Sequence, residues 1–157
     1  MGDYSPHEHK PLLGYAALTA AFNGAGAAYI AGYRRSARAL PERLPVSDFL
    51  LMAAATHKLS RLIAKDRVTS FVRSPFTRYT GEAGPSEVSE EPRGTGLRLA
   101  VGELVVCPYC VGQWVAAGFV GGYVVDPNAT RMVAAMFALL GASDFLHQAW
   151  TAVDKQA

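Results

Sequence analysis

Charge is what this chain has least of. Of its 157 residues 18% are charged and 50% hydrophobic, against about 25% charged in a soluble domain of ordinary composition, and mean hydropathy is slightly positive. The few charges are bunched between long stretches that have none, which points towards a membrane. Cysteine is also scarce: two residues cannot build a disulfide framework. A basic leader is missing, since "MGDYSPHEHK" opens acidic and His-containing where a signal peptide opens positively charged, so the apolar run behind it is expected to be retained. Pro6 stands where a myristoylation pattern needs Ser or Thr, and lipidation is not expected. Nor is there an excess of one sign. Fifteen Lys and Arg against 13 Asp and Glu leave a net charge of +2, with no basic run interleaved with aromatics, which excludes nucleic acid as a partner.

What the chain does have is apolar runs. Leu12 to Tyr33 holds 22 residues without a charge, enough for a hydrocarbon core that needs about 20. Ala20, Gly24, Ala28 and Gly32 recur every four residues along it, a ridge that would let another helix, or a second copy of the chain, approach closely in lipid. A basic connector with Arg34, Arg35, Arg38 and Arg43 follows. Ser47 and Asp48 can cap a helix that begins at Phe49, apolar at first and basic at its end. Residues 67–98 read as a polar loop or hairpin, rich in Pro and Gly, with Glu82, Glu87, Glu90 and Glu91. Leu104 to Val125 and Met132 to Trp150, joined by the tight turn "DPNAT", read as a helical hairpin in the membrane. The expected fold class is thus an all-α integral membrane protein with four (or three) membrane helices ending in a C-terminal helical hairpin. Its layout is an N-terminal extension over residues 1–46, with one membrane helix and the connector, and a membrane domain over 47–152: helix 48–66, polar cytoplasmic loop 67–98, hairpin 104–150. The lipid bilayer is the expected partner, with a protein partner or a homo-oligomer engaged through the small-residue helix faces.

Orientation follows the placement of Lys and Arg. Eight of the 15 lie between Lys58 and Arg98, so that stretch is expected in the cytoplasm of a bacterial cell, with the protein in the cytoplasmic (inner) membrane. Charge placement alone favours three crossings over four.

The motif order carries more information than any one motif. Arg61-Leu62-Ile63, Asp66, Arg73 with Pro75-Phe76, then Gly102-Glu103-Leu104 leading into Cys107, Cys110, Gly112 and Trp114 resembles the bacterial domain-of-unknown-function family 1360, over about residues 48–150. The likeness implies a small integral membrane protein, sporulation-associated in some bacilli, of no established activity, and tips the expected number of crossings to four. His57-Lys58 stands where relatives have an aromatic and an Arg, and Tyr109 where Trp is common.

The chemistry that can be read centres on "VVCPYCVGQW". A CxxC alone serves redox enzymes, zinc sites and helix entries alike. A thioredoxin-like fold would need alternating strands and helices after the motif, and two apolar helices follow instead. Cys107 lies 19 residues before Asp126 and His147 21 residues after it, so both arms would bring them to one membrane depth at about 1.5 Å per residue. Cys107, Cys110, His57, Asp144 and His147 are therefore candidate metal ligands, with Zn²⁺ as the ion, and Cys107 and Cys110 candidate catalytic thiols. The alternatives are packing of the cysteines as small apolar side chains, an Asp144–Arg61 pair, and Glu103 as a charge near a helix N-terminus. Two functions stand: a structural or interaction component presenting its cytoplasmic loop to a partner or to lipid headgroups, and a membrane thiol-disulfide or zinc-binding protein.

Overall fold

The computed structural model describes residues 4–5, 10–36 and 40–155; most of the segment read for a leader, and Arg38 of the connector, lie outside them. In chain order the described residues form α1 (Leu12–Arg35), α2 (Val46–Lys65), a 3-10 turn (Arg67–Thr69), α3 (Ser70–Arg73), β1 (Thr77–Gly84), β2 (Glu87–Pro92), α4 (Gly96–Val106), α5 (Pro108–Val125) and α6 (Pro127–Asp154). They divide into two compact units, one of Met1–Ala37 with Ala64–Cys107 and one of Arg38–Ile63 with Pro108–Ala157.

In the first unit, β1 and β2 pair antiparallel from Thr77↔Pro92 to Gly84↔Glu87, with two irregularities that shift the register. Pro85 sets the φ of the turn's first central residue, and Ser86 takes the positive φ, 64°, that its second requires. Alternation along β2 buries Val88 while Glu91 stays exposed. Helix α4 lies against the base of this hairpin because Gly102 has no side chain: a Cβ there would stand 2.6 Å from the Phe76 carbonyl oxygen and 3.1 Å from Pro92 Cβ. Gly14 brings α1 onto the same helix, where a Cβ would meet that of Ala100 at 2.6 Å. Glu103 lies in the last turn of α4, not near a helix N-terminus as expected, so the local dipole opposes it. It is compensated by the Tyr15 hydroxyl, which donates to it, and by Lys10 Nζ at 3.8 Å. Burial, then the bond to Glu103, push the Tyr15 hydroxyl up to about 12.

In the second unit, Met52 and Ala55 of α2, Phe119 and Tyr123 of α5 and Ala134 of α6 form the core. Each large apolar side chain so buried contributes about 1.5–3 kcal/mol. At one edge of this core Asp48 accepts three hydrogen bonds, from Tyr123 Oη at 2.6 Å and from Arg131 Nε and Nη2 at 2.9 and 2.7 Å. Lys58 reaches Asp144 at 2.5 Å. Asp126 caps α6 by accepting from the backbone N–H groups of Asn128 and Ala129, and Pro127 at the first helical position loses no bond.

Three expectations are corrected. The chain is not all-α, since the segment 67–98 contains the β1–β2 hairpin and the short helix α3. It is not a bundle of four, or three, membrane helices: among the described residues only α6 is long and apolar enough to cross a membrane, and α4 with α5, taken together across their break, would make a second. Freedom from charge is not apolarity. Gly, Tyr, Thr19 and Asn23 dilute α1, and Asp48, Lys58, Arg61 and Lys65 fall within α2. Finally, the arm expected to start at Leu104 is interrupted at Cys107, whose φ and ψ of −103° and 105° are extended. A proline disfavours the α conformation in the residue before it, and Pro108 therefore ends one helix and begins the next.

Gly102→Ala is expected to cost about 1–3 kcal/mol, the usual effect of overpacking, because backbone and a proline ring line the space. Gly112→Ala, whose Cβ would meet Ser60 only at 3.8 Å, should be neutral or stabilising by up to about 1 kcal/mol through helix propensity. Thermal or denaturant unfolding of the two variants measures the difference.

The hydrogen bonds from Arg131 and then Tyr123 hold the Asp48 carboxyl below the ordinary carboxylate range. A group whose folded value is depressed stabilises above its unfolded value, about 3.9 for Asp, and loses that contribution as pH falls through the folded one. Asp48→Asn should therefore lower the unfolding midpoint at neutral pH, and the gap to wild type should close as pH drops below about 4. A gap independent of pH in a set of melting curves would refute this.

Candidate functional site

The stretch from Lys65 to Arg98 concentrates buried charge, exposed apolar side chains and exposed cations within the first unit. It starts at Asp66. The Asp66 carboxylate accepts the Val68 N–H at 3.0 Å and caps the 3-10 turn. Its carbonyl accepts from Thr69 Oγ1 and from Arg73 Nη2. Arg73 is fully buried. Its Nε lies 2.6 Å from Glu90 Oε2 and its Nη2 3.3 Å from Oε1, a two-point grip on one carboxylate, while Nη1 donates to Thr69 Oγ1 at 2.6 Å and Nη2 also to Ser70 Oγ. Thr77 Oγ1 lies 3.3 Å from the same Glu90 oxygen. The guanidinium thus ties the 3-10 turn and α3 to β2, and the Arg67 N–H bonded to the Ser86 carbonyl ties the start of the segment to the hairpin's turn.

Because α3 is a single turn and Arg73 occupies its inward side, the neighbouring apolar residues face out. Val68, Phe71 and Val72 are 74%, 77% and 51% exposed. Beside them two arginines are fastened to consecutive backbone carbonyls: Arg93 Nη2 donates to Ser74 O at 2.8 Å, and Arg98 Nε and Nη2 donate to Pro75 O at 3.0 and 2.7 Å. The stem of Arg98 lies over Gly94, where φ is +92° and a Cβ would stand 2.8 Å from Arg98 Cδ. Two of the hairpin's acidic side chains are engaged elsewhere. Glu82 pairs with Arg67 at 2.8 Å, Glu90 with Arg73, and Glu91 stands opposite Arg78 across the hairpin.

The motif residues read from sequence are divided between the units. Asp66, Arg73, Pro75, Phe76, Gly102, Glu103 and Cys107 belong to the first, and Arg61, Cys110, Gly112 and Trp114 to the second. Of the candidate ligands, Cys110, His57 and His147 are exposed and Cys107 is half-buried. Asp144 is engaged by Lys58, where Arg61 was expected. Among the described residues no three His, Cys, Asp or Glu side chains gather so as to hold a metal ion. Gly112 approaches Ser60 of α2. Sequence reasoning missed the Asp48–Tyr123–Arg131 cluster, whose members lie up to 83 residues apart, and missed Glu90 as the partner of Arg73. The run "EPRGTGLR", two arginines separated by two glycines, was the available signal for the Arg93–Arg98 pair.

The second unit holds an open apolar cavity of about 350 Å³ between α2, α5 and α6, lined by Leu59, Val115, Phe119, Ala129 and Val133 among others. Its one hydroxyl, on Thr130, is turned to the Asp126 carbonyl. Substrate sites add a few convergent polar groups to such a lining, and this one has none.

Two curated proteins are similar to this chain in sequence. Over 95 residues the chain is 30% identical to the protein named "Sporulation protein YjcA" of Bacillus subtilis (strain 168), covering 59% of this chain and 80% of that one. It is 27% identical over 111 residues to the "UPF0713 protein YngL" of the same organism, covering 69% and 82%. No solved structure matches. The family model described as "Protein of unknown function (DUF1360)" matches residues 51–150, which take in the Arg73 network, Gly102, both cysteines and nearly all of α6, and the chain belongs to that family.

Proposed function

We infer that this protein is a membrane-anchored, non-catalytic component of the bacterial cytoplasmic membrane, held there by α6 and displaying the Lys65–Arg98 segment on the cytoplasmic side. The observation that carries the reading is the surface of α6. Its 28 residues extend for about 42 Å at 1.5 Å each, and only 11% of its most apolar 18-residue stretch is buried within the protein. Met132, Leu139, Phe145, Leu146 and Trp150 are each more than 65% exposed. Water does not tolerate so long an apolar face on a stable monomer, and such faces mark membrane or protein interfaces. Hydrocarbon is the occupant that a continuous helix of this length suits. The eight Lys and Arg between Lys58 and Arg98 favour the cytoplasmic side for the displayed segment. An interaction role is supported by what the surface offers: fixed charges and apolar side chains on the 3-10 turn and α3 beside the hairpin, and a cavity without polar groups to orient a substrate. The name of one relative adds a setting, sporulation, and no reaction.

Washing membranes with alkaline carbonate should leave the protein in the pellet. A Cys at Ser86, in a background of Cys107→Ser and Cys110→Ser, should react with an impermeant maleimide only after the cells are opened. Release of folded protein by carbonate overturns the anchor, and labelling in intact cells overturns the orientation.

A further inference from the structure

Val68, Phe71 and Val72 form an apolar knuckle that nothing in the first unit covers, and the chain around it is not free to fold it inward. Arg73 pins α3 from inside, and Ser74 Oγ closes back on the Phe71 carbonyl at 3.1 Å. Immediately after the knuckle come the Ser74 and Pro75 carbonyls that hold Arg93 and Arg98. These acceptors are neutral and offset neither guanidinium's charge, and each guanidinium has N–H donors beyond those bonded to the carbonyls. Two like charges fastened to neighbouring carbonyls repel one another, and the arrangement is stabilised when an anion faces both. Gly94 is part of the device, since any side chain there would displace the stem of Arg98. Two of the neighbouring acidic residues, Glu82 and Glu90, are committed to Arg67 and Arg73.

An exposed aromatic and two aliphatic side chains beside two arginines held by neutral carbonyls match the cross-section of an anionic bilayer surface: phosphates at the level of the guanidinium groups, acyl chains just beyond them. We propose that this face docks onto anionic phospholipid, with Arg93 and Arg98 holding lipid phosphates and Phe71, flanked by Val68 and Val72, inserted at the boundary of the acyl chains. The proposal rests on the reading of the protein as membrane-anchored with this segment on the cytoplasmic side. It gives that segment a stated occupant, the anionic leaflet. Arginine suits the task better than lysine, because its planar fork meets phosphate at two points and is more weakly hydrated.

The test uses the full chain with Cys107→Ser and Cys110→Ser, carrying Phe71→Cys labelled with an environment-sensitive dye, and reconstituted in vesicles of phosphatidylcholine alone or of equal parts phosphatidylcholine and phosphatidylglycerol. A blue-shifted, brighter dye in the phosphatidylglycerol vesicles only, reversed by high salt and lost with Arg93→Gln/Arg98→Gln, is the expected result. Arg93→Lys/Arg98→Lys should retain part of the shift, and an unchanged circular dichroism melt in both pairs excludes loss of fold as the cause. Gly94→Val, which keeps every charge, should weaken the shift by displacing Arg98. Equal dye spectra in the two vesicle types, or a shift indifferent to the Gln pair, overturns the proposal. So does a dye that becomes buried only when cytoplasmic extract is added, which would make a protein the occupant. Failure of the anchor shows separately, as extraction of the labelled chain by carbonate with the dye still responding to phosphatidylglycerol.

Discussion

Arg73 is a cation without access to water, and the first unit is arranged around keeping it satisfied. Removing one partner from a buried ion pair costs about 3–5 kcal/mol, because the other charge is left unsolvated. Glu90 must therefore sit where its carboxylate meets the guanidinium at two points, which sets the position of β2 against α3. The Asp66 carbonyl and the Thr69 and Ser70 hydroxyls complete the set of acceptors, so the chain from Asp66 to Ser70 must coil tightly. A 3-10 turn capped by Asp66 and a single turn of helix do this in the fewest residues. Pro75 and Phe76 follow because the chain has to leave that turn and enter β1, and the Phe76 carbonyl then receives the Arg93 N–H at 2.9 Å and lies against Gly102. Five of the eleven motif residues, Asp66, Arg73, Pro75, Phe76 and Gly102, thus belong to one mechanical assembly.

That assembly has a consequence for the surface. A one-turn helix has too few residues to bury both an arginine and its apolar neighbours, so satisfying Arg73 inside leaves Val68, Phe71 and Val72 outside. Exposed apolar area of this kind persists in a protein when something covers it. The same compromise recurs on a larger scale in α6, whose Ala134 enters the core of the second unit while its longer apolar side chains remain uncovered. Both features leave apolar area that the described residues do not cover.

The cysteine motif stands apart from these networks. Pro108 breaks the helix there, leaving Cys107 extended at the end of α4 and Cys110 exposed in the first turn of α5. The local job the structure gives the motif is to separate two helices, a consequence of its proline. The histidines once grouped with it are solvent-facing, and Asp144 is held by Lys58.

The sequence by itself determined what local physics decides. The apolar helical runs, the proline and glycine turn within 67–98 and the order of the family motifs are set by residues close together in the chain, and they were legible; the DPNAT segment reads as a turn, but Asp126 caps a helix that already begins at Pro127. The sequence also placed Arg73, Phe76 and Gly102 among the residues that matter, through the resemblance and without the reason. Only the tertiary structure decided the reasons and the partners. Glu90 meets Arg73 across 17 residues, Tyr15 meets Glu103 across 88 and Arg131 meets Asp48 across 83, pairings that no local pattern encodes. Absence of charge overstates the number of membrane helices, because polar and small residues lower the apolarity of α1 and α5. Whether an apolar side chain is covered is a property of the assembled fold, and it separates Phe119, buried in the core, from Phe71, left on the surface.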